Sequence, residues 1–167
     1  MAISNQQVND KLNEVFPGAI HKSEELYGML TLTIAKDKMH EVIKWLKHDT
    51  SFQINFLTLI GGIHFPENQG HEIGVTYHLQ SMVNNFRIRL KTFVPISHPH
   101  VQSITDLYDG ANWQERETFD FFGVIFENHP NLKRILNEDD MDYHPMRKEY
   151  HLEDATREDK DDRYFGR

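Results

Sequence analysis

Cysteine is absent from all 167 residues. That excludes disulfides, thiolate nucleophiles, cysteine-held zinc and the usual ligation of iron–sulfur clusters. It also fits a reducing compartment. Long apolar runs are missing too. The longest, FLTLIGGI from Phe56 to Ile63, is strand-sized against the roughly 20 residues a bilayer crossing needs. Basic charge is scarce, with 18 Lys and Arg against 26 Asp and Glu, a net charge of −8 and a pI near 5.7. Phosphate recognition needs a basic footprint, so nucleic acid is excluded as a partner. The opening MAISNQQVNDKL has neither a basic segment ahead of an apolar core nor arginine-rich transit character. The protein is therefore expected to stay in the compartment where it is made.

What is present suffices for one real core: 38% of residues are hydrophobic and 11% aromatic. Ser4 with Gln7 reads as a capping box, and Val8, Leu12, Val15 and Phe16 recur at helical spacing until Pro17-Gly18. Ile20–Leu26 and Leu30–Ile34 read as strands about a turn at Tyr27-Gly28, followed by a helix from Asp37 that buries Met39, Val42, Ile43 and Leu46. Phe52–Ile60 is apolar enough for a central strand. Ile73–Leu79 alternates with period two, as does Phe86–Lys91 after the Asn84-Asn85 turn. Short helices are expected over Val101–Tyr108 and Asn112–Phe122.

The order α-β-β-α-β-β-β predicts an α+β two-layer sandwich with a mixed sheet, then the short helices. From Asn137 to Arg167 eleven acids face six Lys or Arg with few large apolar side chains. A globular domain over 1–136 and an extended acidic tail over 137–167 are therefore expected, the tail serving for partner docking.

Eleven histidines raise the question of a metal. None pairs at i, i+4 around a glutamate, and His98 and His100 straddle a proline, so they read as surface or capping residues. Gly61-Gly62 lacks a following lysine and reads as a bend at a strand end, and no G-x-S-x-G elbow is present. Arg87, Arg89 and Lys91 form one face of a strand, either simply solvated or a docking face for an acidic partner.

The densest constellation is ERETFDFFG, Glu115–Gly123. Asn112 and Glu115 match a capping box, and Gly123 a C-terminal stop. Trp113, Arg116, Glu117 and Asp120 fall on one stripe, where Arg116 and Asp120 are spaced to pair. Carboxylates compensated by an arginine have depressed pKa values, the opposite of what a general acid at neutral pH needs. The stripe reads as an ion-pair cluster, internal or presented to a partner, with the phenylalanines anchoring the helix to its own domain.

The run ERETFDFFGVIFENHPNLKRIL, then HPMRKEYHLED, closely resembles the signature of the 30 kDa subunit family of respiratory complex I, the proton-pumping NADH–quinone oxidoreductase. The resemblance covers Gly110 to about Asp154 and rests on Glu115, Arg116, Glu117, Asp120, His129, Pro130, Arg134, His144, Pro145, Arg147 and Lys148. It implies a non-catalytic subunit of the peripheral arm on the cytoplasmic face of the bacterial inner membrane, with these residues serving structure or partner contact. It implies no cofactor on this chain, FMN and iron–sulfur clusters being carried by other subunits. The implied partners are the quinone-site subunit and neighbouring cluster-bearing subunits of the hydrophilic arm. Many relatives read HPLRKDYPL where this chain has HPMRKEYHL; Met146 for leucine is volume-conserving, and His151 for proline makes the tail less stiff. The ending soon after that motif reads as a separate subunit rather than a fusion. An equivalent subunit of a membrane-bound hydrogenase or related dehydrogenase stays open, as does a stand-alone hydrolase using Glu115, Glu117 or Asp120 with a histidine.

Overall fold

The computed structural model of the protein describes residues 3–150. Of the tail expected over 137–167, positions 151–167 lie outside the described residues, His151 among them. Helix α1 (Asn5–Val15) starts with the expected capping box: the Gln7 N–H donates to Ser4 Oγ and the Ser4 N–H to Gln7 Oε1. It buries Val8 and Leu12. Strands β1 (Ile20–Leu26) and β2 (Met29–Ile34) form a hairpin in which Tyr27 and Gly28 both have positive φ, as a tight two-residue turn requires. A 3-10 turn over Lys36–Lys38 leads into α2 (Met39–His48), which buries the four residues its spacing predicts.

Strands β3 (Phe56–His64), β4 (Ile73–Ser81) and β5 (Phe86–Val94) complete a five-stranded sheet of order β1-β2-β5-β4-β3. Within it only β2 and β5 run parallel, so the sheet is mixed and the fold is the expected α+β one. Leu32, Ile34, Val75, Tyr77, Leu79, Ile88 and Leu90 join the buried residues of α1 and α2 in one core. The other sheet face carries Arg87, exposed, with Arg89 and Lys91 half-buried.

Three expectations are corrected. Phe52–Ile60 is not a central strand: β3 begins at Phe56 and lies at the sheet edge. Its apolar character arises because helix α3 (Ala111–Phe122) packs along it, with the Gln114 side chain accepting from the Ile60 N–H of that edge. Gly61-Gly62 is not a bend, since β3 runs on to His64. At Gly62 the Phe122 ring occupies the space a Cβ would need. No helix covers Val101–Tyr108. Strand β6 (His100–Gln102) pairs in parallel with β7 (Ile125–Glu127), and turns follow it. The apolar spacing Val101, Ile104, Leu107 mimics a helix, but each side chain enters the core from a different local conformation.

Candidate interaction site: a clasp around the third helix

Helix α3 turns its charge inward. Glu115, Arg116 and Asp120 are buried, whereas Glu117 and Trp113 are exposed and Phe119, Phe121 and Phe122 only half-buried. The phenylalanines do not carry the packing alone, although Phe122 wedges onto β3 at Gly62.

The capping-box reading of Asn112 and Glu115 is corrected. The helix starts after Gly110, with no side-chain cap, and Asn112 lies inside it. Glu115 instead reaches back to the turn after β6, accepting from the Ile104 N–H at 2.8 Å and from Ser103 Oγ at 2.7 Å. Burial pushes its pKa up to about 7, opposed by those two hydrogen bonds. The expected depression by a neighbouring arginine therefore fails for Glu115. Among the described residues its donors are neutral.

Asp120 behaves oppositely. Its Oδ2 accepts from the backbone N–H groups of Ile135, Leu136 and Asn137 at 2.9–3.1 Å, and its Oδ1 receives Arg134 Nη1 at 2.7 Å. Burial alone would raise its pKa, but the bonds from Asn137, Leu136 and Arg134 win and hold it well below the usual carboxylate range. The expected Arg116–Asp120 pair is thus not formed: Arg134 takes the carboxylate. Arg116 donates to the carbonyls of Lys133 and Arg134 at 3.1 and 3.0 Å, and its guanidinium lies 5.2 Å from the Trp113 ring centroid.

The two His-Pro motifs close the clasp. His129 donates through Nε2 to the Asn112 carbonyl and accepts through Nδ1 from the Asn131 N–H, while Pro130 stands exposed at that turn. Beyond it, Arg134 also bonds the carbonyls of Met141 and Tyr143. At the C-terminal end of α3, Gly123 has φ 75° and its N–H returns to Phe119, the expected stop. His144 and Arg147 fill the space beside it that a Cβ would need.

The last helix carbonyls, unsatisfied within any helix, are taken by this segment. Asp120 O accepts from His144 Nδ1 and Arg134, Phe121 O from the Met146 N–H, and Phe122 O from Arg147 Nε. Pro145, half-buried, joins the two grips. The Lys148 N–H donates to His64 Nδ1, and its ammonium lies 5.7 Å from the Phe65 ring centroid. The partners of Ser103 and His64 escape sequence reading because they lie 12 and 84 residues away, and so does the Phe122 ring that Gly62 accommodates.

Chemically the arrangement binds its own chain. Glu115 meets one demand of a general acid, a pKa near neutrality, but it is fully buried with both oxygens occupied. Asp120 is also fully buried and is held ionised. Of the three carboxylates a hydrolase reading would use, only Glu117 is exposed. Among the side chains that reach solvent around the clasp are three large apolar ones, Trp113 at 59% exposure, Leu136 at 64% and Met146 at 47%, set among exposed charges such as Glu117, Lys133 and Glu138.

Fold and clasp together define a small α+β domain with a self-locked charged helix. Residues 32–156 match the family model described as respiratory-chain NADH dehydrogenase, 30 Kd subunit. A NADH-quinone oxidoreductase subunit of this type from Acidothermus cellulolyticus is 39% identical over 149 residues, spanning 87% of this chain and 78% of that one. Its Nocardioides counterpart is 42% identical over 125 residues, 75% of this chain and 50% of that one. The chain spans about half the length of several curated relatives it matches. Among solved structures, a trypsin-resistant fragment of Nqo5 has a TM-score of 0.63 at 28% identity, covering 75% of this chain and 98% of the fragment. A chain of an archaeal membrane-bound sulfane sulfur reductase shares the fold, with a TM-score of 0.73 at 22% identity over 88% of this chain and 85% of that one. The chain belongs to the 30 kDa subunit family of respiratory-chain NADH dehydrogenase.

Proposed function

We propose that this chain is a non-catalytic peripheral-arm subunit of a proton-translocating NADH:quinone oxidoreductase, supporting assembly and docking to the quinone-site subunit. One observation carries the reading. Five charges of the family motif, Glu115, Arg116, Asp120, Arg134 and Arg147, are used in holding α3 to the chain around it, and Trp113, Leu136 and Met146 stand exposed on that frame. A large exposed aromatic over an arginine suits the buried centre of a protein interface. In this reading flavin and iron–sulfur clusters reside on other subunits, and this chain carries none. Among the described residues no helix is long and apolar enough to cross a membrane. The chain then attaches to the cytoplasmic side of the inner membrane through its partners.

Affinity purification from native membranes tests the proposal. Recovery with a flavin-bearing NADH-oxidising module and a quinone-site subunit supports it, whereas recovery with hydrogenase subunits moves the chain to the related complex. Recovery alone, as an active soluble enzyme, overturns both.

A further inference from the structure

His64 is the last residue of β3 and is buried, yet the element it bonds lies 84 residues further along the chain. The bond fixes its chemistry. A backbone N–H only donates, so the Lys148 N–H at 3.0 Å requires an unprotonated Nδ1 with a free lone pair. Protonation would set two N–H donors against each other. His144, in the same segment, is wired the other way: its Nδ1 faces the Asp120 carbonyl at 3.0 Å and must donate. A second proton on Nε2 leaves that bond intact. Arg147, which grips the Phe122 carbonyl, keeps its charge throughout.

We propose that His64 is a pH-sensitive latch: neutral, it fastens the Lys148 backbone to the end of β3; protonated, it releases that backbone while His144 and Arg147 keep the preceding turn in place and Tyr150 stays bonded to the Arg147 carbonyl. The groups around it are Glu149, Arg147 and Lys148 from the clasp segment and Glu72 from the loop before β4. Burial holds His64 below the ordinary imidazole pKa, with Arg147 and Lys148 acting in the same direction and Glu149 and Glu72 opposing. The sign follows. The latch is fully closed above the ordinary imidazole range, about pH 6.5, and weakens as pH falls through the depressed folded value. This device goes beyond the docking reading and is a property of the isolated chain, so it stands or falls separately.

Amide hydrogen exchange of the whole chain, followed by NMR from pH 8 to pH 5 and corrected for intrinsic rates, tests it, with the His64 ring titrated in the same samples. Protection of Lys148 is expected to fall about tenfold per pH unit below the ordinary imidazole range, in step with His64, while the Met146 amide stays protected. His64→Gln, whose amide oxygen accepts at every pH, should remove the dependence. Glu149→Gln, at an exposed position, should move the midpoint to lower pH. Equal protection of Lys148 at pH 8 and pH 5 overturns the latch. So does joint loss at Met146, or a midpoint that neither variant moves.

Discussion

Glu115 and Asp120 sit on one helix, both withdrawn from water, and their proton affinities part because of what donates to them. Asp120 has an arginine and three N–H groups; Glu115 has two neutral donors. The consequences for stability have opposite signs. Glu115, raised to about 7, contributes stability below its unfolded value, and this is lost as pH rises through 7. Glu115→Gln should therefore gain about 1–3 kcal/mol relative to the parent above pH 8, read from urea unfolding at pH 5 and pH 9. Asp120, lowered, contributes above the ordinary aspartate range and loses that only in strong acid. Asp120→Ala strands the Arg134 charge and three N–H groups, and should cost about 3–5 kcal/mol at pH 7 in the same measurement.

At the scale of elements, α3 docks where Gly62 leaves room for the Phe122 ring. Gly62→Val should cost about 1–3 kcal/mol by overpacking, lowering the melting temperature without changing the far-ultraviolet spectrum of the folded state. Such contacts mark the limit of sequence reading. The Ser4–Gln7 box, the Tyr27-Gly28 turn and the alternation of Ile73–Leu79 are legible because each is decided by residues within a turn or a strand of one another. Asn112 and Glu115 satisfy the same local rule and mislead, since Ser103 and Ile104 compete for that carboxylate from outside the helix. Val101–Tyr108 mislead likewise: the partner of β6 is β7, reached only after α3. Of the clasp, Arg134, His144 and Arg147 are legible as members of a motif. Their target, the carbonyl end of α3, is not.

The whole molecule covers one sheet face with α1 and α2, edges β3 with α3, and carries Trp113 and Leu136 exposed at the clasp. If those two side chains lie in an interface, Trp113→Asp combined with Leu136→Asp should leave stability within about 1 kcal/mol and abolish co-purification with the neighbouring subunits. Retained co-purification would place the contact elsewhere. The sheet carries a last consequence. Leu30 of β2 pairs in parallel with Ile88 of β5, and that seam joins a hairpin made early in the chain to a meander completed much later. Closing it joins segments separated by α2, β3 and β4, so a loop-closure entropy is set against only a few ladder bonds. Two half-sheets should therefore form ahead of the barrier and zip at this seam near its top. Leu32→Ala should slow refolding, whereas Val8→Ala on α1 should chiefly hasten unfolding, a distinction that stopped-flow fluorescence would read directly.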